Sequence, residues 1–150
     1  MAITIREADL REPGARALIE SGQAMIRDLF HPEVIRFLPL AALGGDDVSF
    51  YVAEAEGVPM GCAALVDKHA YGEVKSMFVT DAARGRGVGT ALLDRLEERA
   101  REIGLAMLKL ETGPLLEAAR RLYERQGFVP CPPYGGFTAE GSSIFMEKHL

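Results

Sequence analysis

The stretch Met77-Phe-Val-Thr-Asp-Ala-Ala-Arg-Gly-Arg-Gly-Val-Gly-Thr-Ala-Leu-Leu92 decides the fold, because an apolar strand runs through a glycine-rich turn directly into a helix. Three glycines alternate with larger residues between Arg84 and Gly89, so successive backbone N–H groups can line one concavity without obstruction by Cβ atoms. The helix adds its unpaired N–H groups and the positive end of its dipole, and Arg84 and Arg86 add full charges. The stretch therefore predicts an anion cradle, for which a pyrophosphate is a natural ligand.

Two common phosphate-binding loops do not fit this stretch. A P-loop ends in Gly-Lys-Ser/Thr, whereas Gly89 is followed directly by Thr90 and the turn contains no lysine. A dinucleotide-binding fingerprint needs a third glycine at the position of Thr90, with an acidic residue about 20 positions further on. Glu111 lies near that distance, but the glycine spacing is already broken at Thr90.

The segment Arg84-Gly-Arg-Gly-Val-Gly89 resembles the Arg/Gln-x-x-Gly-x-Gly/Ala signature of the GNAT superfamily of N-acetyltransferases, and Leu122-Tyr-Glu-Arg-Gln-Gly-Phe128 resembles its second signature. The resemblance covers about residues 48–130 through these motifs and the two ends of the chain by general layout. It implies an α/β fold with a mixed, twisted sheet of about seven strands, helices on both faces and a splay between strands 4 and 5. It also implies that acetyl-CoA is the cosubstrate and that the loop holds its pyrophosphate.

In the resembling family, the backbone of the strand before the cradle pairs with the pantetheine arm. Carried over by position, Met77 would offer its N–H to the thioester carbonyl and Val79 would bind the arm. Leu116 stands where the family usually has Asn, whose amide contacts the cofactor, so one hydrogen bond is missing. The implied cofactor-binding residues are Met77, Phe78, Val79, Arg84, Gly85, Arg86, Gly87, Val88, Gly89 and Thr90.

Glu73 is the candidate general base. It stands eleven positions before Arg84, the spacing at which catalytic members of the resembling family carry a glutamate that removes the proton of the amine. The alternative is a solvated or ion-paired strand residue, with Lys75 or Lys109 as partner. Glu111, at the end of the neighbouring strand, is a rival base, and water serves this role in other family members.

Tyr123 is the candidate general acid, because it matches the tyrosine of the family's second signature, whose hydroxyl can protonate the leaving thiolate. The alternative is a core aromatic on the buried face of a helix. Tyr134 and Phe137 either wall the acceptor pocket or cover the end of the sheet.

The composition and net charge of the chain argue against several classes of function. A net charge of −5 and a pI near 5.2 argue against nucleic-acid binding, which needs a basic face, and mildly favour a cationic amine. No apolar run approaches the ~20 residues of a membrane helix, and the amino terminus alternates like a strand, unlike a signal peptide. With only Cys62 and Cys131, we expect reduced thiols and a cytoplasmic protein, and the three scattered histidines predict no metal site.

The hydrophobic pattern predicts one domain over residues 1–150, with strands and helices in an α/β order. The first helical region would lie over the acceptor site in the resembling family. The predicted strands are 3–8, 48–55, 59–66, 73–79, 106–111, 128–129 and 143–148; the predicted helices are 13–30, 34–38, 87–103 and 112–127.

These observations favour an N-acetyltransferase that moves acetyl from acetyl-CoA to a primary amine of a small molecule or amino acid, by direct attack in a ternary complex. The alternative is a non-catalytic sensor or partner module that binds acyl-CoA, and a third possibility is an α/β domain whose glycine turn binds nothing. Homodimers are common in the resembling fold, so a homodimer is a further expectation.

Overall fold

The computed structural model describes residues 2–9, 11–29, 45–136 and 143–150. The predicted helix at 34–38, and Phe137, lie outside these residues. A single 3-10 turn, Asp81–Ala83, precedes the second helix. The elements in chain order are β1 (Thr4–Glu7), α1 (Pro13–Leu29), β2 (Val48–Ala55), β3 (Val58–Asp67), β4 (Gly72–Val79), α2 (Val88–Glu102), β5 (Met107–Thr112), α3 (Glu117–Arg125), β6 (Val129–Pro130) and β7 (Ile144–His149).

The strands form one mixed sheet of seven strands in the order β1-β2-β3-β4-β5-β7-β6. Every neighbouring pair is antiparallel except β4 and β5, which are parallel because α2 connects them. The parallel pairing consists of Gly72 with Leu108 and Glu73 with Lys109. The predicted sheet and the splay between strands 4 and 5 are therefore confirmed.

Helices cover both faces of the sheet, as predicted. On one face α1 packs against β2 and β3 through a small apolar cluster: Ala15, Leu18, Ile19, Phe50, Val52, Cys62 and Ala64. On the other face α2 and α3 pack against a larger core. The apolar stripe of α2 is buried at Val88, Leu92, Leu96 and Ala100. Each large apolar side chain buried in this way contributes roughly 1.5–3 kcal/mol, which fixes α2 against the sheet.

The last helix is shorter than predicted. Thr112 remains in β5, paired with Ile144 of β7, and the N–H of Leu116 donates to the carbonyl of Gly113 at 3.0 Å. Residues 113–116 are therefore a turn, and Leu115, predicted on the buried helix face, is 61% exposed. The hydrogen bonds between β5 and β7 therefore outweigh the local sequence signal for a helix start. β7 is distant from this segment in sequence.

Candidate active site

A β-bulge bends β4 at the point where the sheet opens. Ser76 and Met77 of β4 lie opposite a single residue of β3. Ser76 has φ +52°, which is uncommon for a residue with a side chain, and its carbonyl accepts a hydrogen bond from the thiol of Cys62 at 3.3 Å. Residues 73–79 contain no glycine, so the sequence carried no sign of this bulge.

Beyond Glu73 the described β4 backbone pairs with β3 alone. The N–H and C=O groups that point away from β3 between Val74 and Val79 therefore face the gap that opens towards β5. The predicted cofactor-binding residues of this strand lie on that length: the side chains of Met77 and Val79 pack towards the α2–α3 core, and Phe78 packs towards α1.

The glycine loop follows at the carboxyl end of β4. Gly85 and Gly87 have φ values of +76° and +81°, a region that costs other residues about 1 kcal/mol or more. A Cβ atom built on either glycine would meet no atom within 4 Å, so the space above the loop is open. Residues 84–87 are exposed, and no side chain of the described residues occupies the space at these two positions.

The donors of this cradle are concentrated in the first turn of α2. The first hydrogen bond of the helix runs from the N–H of Ala91 to the carbonyl of Gly87 at 3.0 Å. The N–H groups of Val88, Gly89 and Thr90 therefore have no acceptor inside the helix, and they lie at the positive end of its dipole.

Two amides of the loop are engaged in the turn itself. Arg84 and Arg86 donate their backbone N–H groups to the carbonyls of Asp81 and Ala83, each at 3.3 Å. The backbone donors of the cradle are therefore those at the start of α2.

The Arg84 guanidinium lies 3.3 Å from the carboxylate of Asp81, and its Nη2 lies 3.6 Å from the sulfur of Met25 on α1. The two charged side chains are 52% and 93% exposed, so this ion pair is worth at most about 1 kcal/mol. A diphosphate can displace Asp81 at small cost.

Gly89 joins three parts of the site. A Cβ atom there would lie 2.6 Å from Cδ2 of Leu122 on α3 and 3.5 Å from Cε of Met77 on β4. A side chain at position 89 would require the end of the Leu122 side chain to move, because the nearer distance is shorter than a carbon contact allows. The start of α2, the helix that carries Tyr123 and the splayed strand therefore meet at one point.

Tyr123 lies on the buried face of α3, with 6% of its surface exposed. Its ring packs edge-to-face on Phe128, with centroids 5.8 Å apart. Burial raises the pKa of the Tyr123 phenol above its ordinary value near 10, so the hydroxyl keeps its proton at neutral pH. This burial is what a core aromatic shows, and the catalytic interpretation requires in addition that the hydroxyl reach the leaving thiolate.

Glu73 stands at the vertex of the splay, in the last β4–β5 pair, and is 4% exposed. Its Oε2 accepts a hydrogen bond from the hydroxyl of Tyr134 at 2.9 Å and lies 3.6 Å from Nζ of Lys75. Lys109 pairs instead with Glu147 at 3.2 Å. Lys75 is therefore the ion-pair partner of Glu73, whereas Lys109, the other expected partner, pairs with Glu147.

An aromatic cluster holds Tyr134 in place. Its ring meets Tyr71 edge-to-face at 5.4 Å and Phe145 at 5.7 Å, and the ammonium of Lys109 lies 5.6 Å from its centroid. Burial raises the pKa of Tyr134, and the negative charge of Glu73 raises it further. Glu111, the rival base, lies close enough for its charge to act in the same direction.

Sequence reasoning named Tyr134 only as a wall or cover and missed its hydrogen bond to Glu73. The available signal was an aromatic residue between Pro132-Pro133 and Gly135-Gly136, which indicates a constrained loop but no partner. Among the described residues, no three His, Cys, Asp or Glu side chains form a metal-binding group. The described helices include none with the length and apolarity to cross a bilayer.

Comparison with known proteins assigns the fold and the family. Residues 15–128 match the model of the Acetyltransferase (GNAT) family. An IAA acetyltransferase of Azospirillum brasilense is 40% identical over 147 residues, covering 97% of this chain and 95% of that protein. The uncharacterised N-acetyltransferase YsnE of Bacillus subtilis is 36% identical, covering 79% and 81% of the two chains. A solved Klebsiella pneumoniae structure, described as a candidate acyl-CoA N-acyltransferase, has a TM-score of 0.83 and 29% identity, covering 99% and 97%.

Proposed function

Since this chain belongs to the acetyltransferase (GNAT) family and is an acetyl-CoA-dependent N-acetyltransferase, we propose that it acetylates a primary amine of a small molecule or amino acid by direct attack in a ternary complex. The observation that carries the proposal is the arrangement along β4. An open anion cradle lies at its carboxyl end, a gap lined by backbone groups follows its length, and a buried carboxylate stands at the vertex of that gap.

The cradle is suited to the diphosphate of acetyl-CoA. The amides of Val88, Gly89 and Thr90 and the guanidinium groups of Arg84 and Arg86 can bind its oxygens, and the helix dipole adds to the attraction. The free edge of β4 from Met77 to Val79 can then pair with the amides of the pantetheine arm, as a further strand would. This brings the thioester towards Glu73.

Glu73 is the proposed base. Within residues 45–136, the contacts of its carboxylate with Tyr134 and Lys75 are both made by Oε2. The other oxygen, Oε1, is then the one that can accept a proton from the incoming ammonium group. The resulting free amine attacks the thioester carbonyl, and the amide N–H of Met77 can bind the oxyanion that forms.

Tyr123 is the proposed acid. Collapse of the tetrahedral intermediate breaks the carbon–sulfur bond and releases the thiolate of coenzyme A, which takes a proton from the Tyr123 hydroxyl. The raised pKa of Tyr123 keeps that proton available across the neutral and mildly alkaline range. The attacking nitrogen then gives its second proton to the Tyr123 oxygen, which restores the phenol, and Glu73 releases the first proton to solvent. The products are the acetamide, coenzyme A and one proton.

Direct attack is supported by the state of the cysteines in the described residues. Cys62 is fully buried beside the bulge, and burial raises its pKa to about 12. Burial also raises the pKa of Cys131. A thiol that stays protonated is a poor acetyl acceptor, so an acetyl-cysteine intermediate is disfavoured.

The test is a panel of amines and amino acids incubated with acetyl-CoA, with release of the coenzyme A thiol as the readout. Turnover of a primary amine with intersecting double-reciprocal plots is the expected result. IAA belongs in the panel because of the name of the A. brasilense relative. Acetylation of IAA without turnover of any amine would contradict the proposed acceptor class, and parallel plots would contradict direct attack.

A further inference from the structure

We propose that Tyr134 is a positioning residue, which holds the Glu73 carboxylate aimed at the acceptor amine through its hydroxyl. This inference rests on the proposed role of Glu73. The Tyr134 hydroxyl contacts Glu73 directly, so its part in the reaction runs through Glu73.

The first argument is the geometry of the contact. The Tyr134 hydroxyl and Glu73 Oε2 are 2.9 Å apart, and the two residues are 8% and 4% exposed. A phenol can donate to a carboxylate only through its single O–H, so the proton of Tyr134 is directed at Oε2. A hydrogen bond to an ionised acceptor in a buried site is stronger than one between neutral groups.

The second argument is that Tyr134 stays a donor. Burial and the charge of Glu73 both raise the pKa of Tyr134, which therefore keeps its proton at neutral pH. It cannot serve as a second base there, and its hydroxyl remains a donor to Glu73.

The third argument is rigidity. The rings of Tyr71 and Phe145 pack on Tyr134 from two sides, and Lys109 lies over the rings of both tyrosines. A Cβ atom on Gly135 would lie 2.7 Å from the Tyr71 hydroxyl, so the loop is closely fitted to the cluster. The hydroxyl is thereby held at a fixed place relative to Oε2, and Oε1 is left for the substrate.

Several other groups act on the same carboxylate and have to be separated from Tyr134. Lys75 approaches Oε2 directly, and Lys109 faces the cluster from β5. Among the described residues, other titratable groups that interact electrostatically within this cluster include Tyr71, Glu111, Cys131 and Glu147. All of them remain in Tyr134→Phe, which removes one hydroxyl and keeps the ring.

The experiment compares kcat for the wild type, Tyr134→Phe, Tyr71→Phe, Glu73→Gln and the double variant of Tyr134→Phe with Glu73→Gln, using the amine that the panel identifies. Tyr71→Phe is the matched control, since it removes a hydroxyl from the same cluster. In Tyr134→Phe, kcat should fall by about tenfold at an unchanged KM for acetyl-CoA, because the carboxylate loses the hydrogen bond that orients it. Tyr134→Phe should have little further effect in the Glu73→Gln background, and Tyr71→Phe should keep the wild-type kcat.

Three results would overturn the proposal. The first is the same fold loss from Tyr134→Phe in the wild-type and in the Glu73→Gln background, which a purely structural role would give. The second is an equal loss of kcat in Tyr134→Phe and Tyr71→Phe. The third is a wild-type kcat in Glu73→Gln, which would show that Tyr134 has no base to position. Absence of amine turnover in the wild type is distinct from these, since it removes the proposed function itself and this inference with it.

Discussion

The two ends of β4 have different proposed roles and are built from different parts of the chain. At its carboxyl end, the proposed cradle is exposed, is made of consecutive residues and offers main-chain donors at the start of α2. At its amino end, Glu73 is buried and contacted by side chains, one of which is 61 positions away. A diphosphate brings its own charge and needs only donors, whereas a base needs a carboxylate whose surroundings control its proton.

This contrast separates binding from chemistry in a testable way. Changes at the cradle should alter the affinity for acetyl-CoA and leave the chemical step intact. Changes at the vertex should slow the chemical step and leave the affinity for acetyl-CoA unchanged. Tyr123 lies between the two, on a helix whose Leu122 touches the start of α2.

The largest expected effect is that of Glu73→Gln. Loss of the base should lower kcat/KM for the amine by about 10²- to 10⁴-fold at neutral pH. Steady-state rates with the identified amine check this. The control is Glu147→Gln, an acid on the same side of the sheet that pairs with Lys109, which should stay within about threefold of wild type if the base role belongs to Glu73. Equal losses in both variants would mean that the charge of the cluster matters and no single base exists.

Tyr123→Phe comes next, with an expected fall in kcat of about 10²-fold, since the thiolate then leaves without a proton donor. The KM for acetyl-CoA should change little. Because burial raises the pKa of Tyr123, the acid form survives at alkaline pH, and wild-type kcat should not decline below about pH 10 through loss of this proton. A wild-type kcat in Tyr123→Phe would make the residue a core aromatic only.

Arg84→Ala combined with Arg86→Ala should raise the KM for acetyl-CoA by about tenfold at unchanged kcat, because two exposed charges contribute together about 1–2 kcal/mol. The effect should shrink as salt is added. The matched control is Arg11→Ala with Arg101→Ala, which removes the same charge from exposed positions elsewhere. A change in kcat with constant KM would break the division between the two ends of β4.

The smallest effect is expected for Cys62→Ala. Its buried thiol, with a pKa raised to about 12, takes no part in direct attack, so kcat should remain within about twofold of wild type. Loss of the hydrogen bond to the Ser76 carbonyl should lower the free energy of unfolding by about 1 kcal/mol. Rate measurements test the prediction for kcat, and denaturant titration tests the prediction for the free energy of unfolding. Loss of turnover in a folded variant would support a covalent intermediate.

The parts of the molecule that were predicted from sequence are those whose cause is local. The glycine loop, the strand before it and the apolar stripe of α2 follow from spacing over a few residues, and the structure confirms these elements. The sequence also placed Glu73 on the strand before the loop, but its position at the vertex depends on its pairing with Lys109 of β5 and was not predicted.

The parts that could not be predicted depend on distant segments. The contact between Tyr134 and Glu73 depends on the pairing of β7 with β5, because Tyr134 lies in the loop before β7. Glu97 of α2, 6% exposed, pairs with Lys148 of β7 at 2.5 Å, and neither residue indicates the other in sequence. No glycine near Ser76 indicates the bulge in the sequence. Such contacts are set by tertiary packing, which outweighs local propensity.

The most direct test of the central claim is the affinity of coenzyme A measured by calorimetry for the wild type, the Arg84/Arg86 double alanine variant and Glu73→Gln. We predict that Glu73→Gln binds coenzyme A as the wild type does, whereas the double variant binds about tenfold more weakly. Unchanged affinity in the double variant, or an equal loss in Glu73→Gln, would contradict the assignment of diphosphate binding to the cradle and of proton transfer to the vertex.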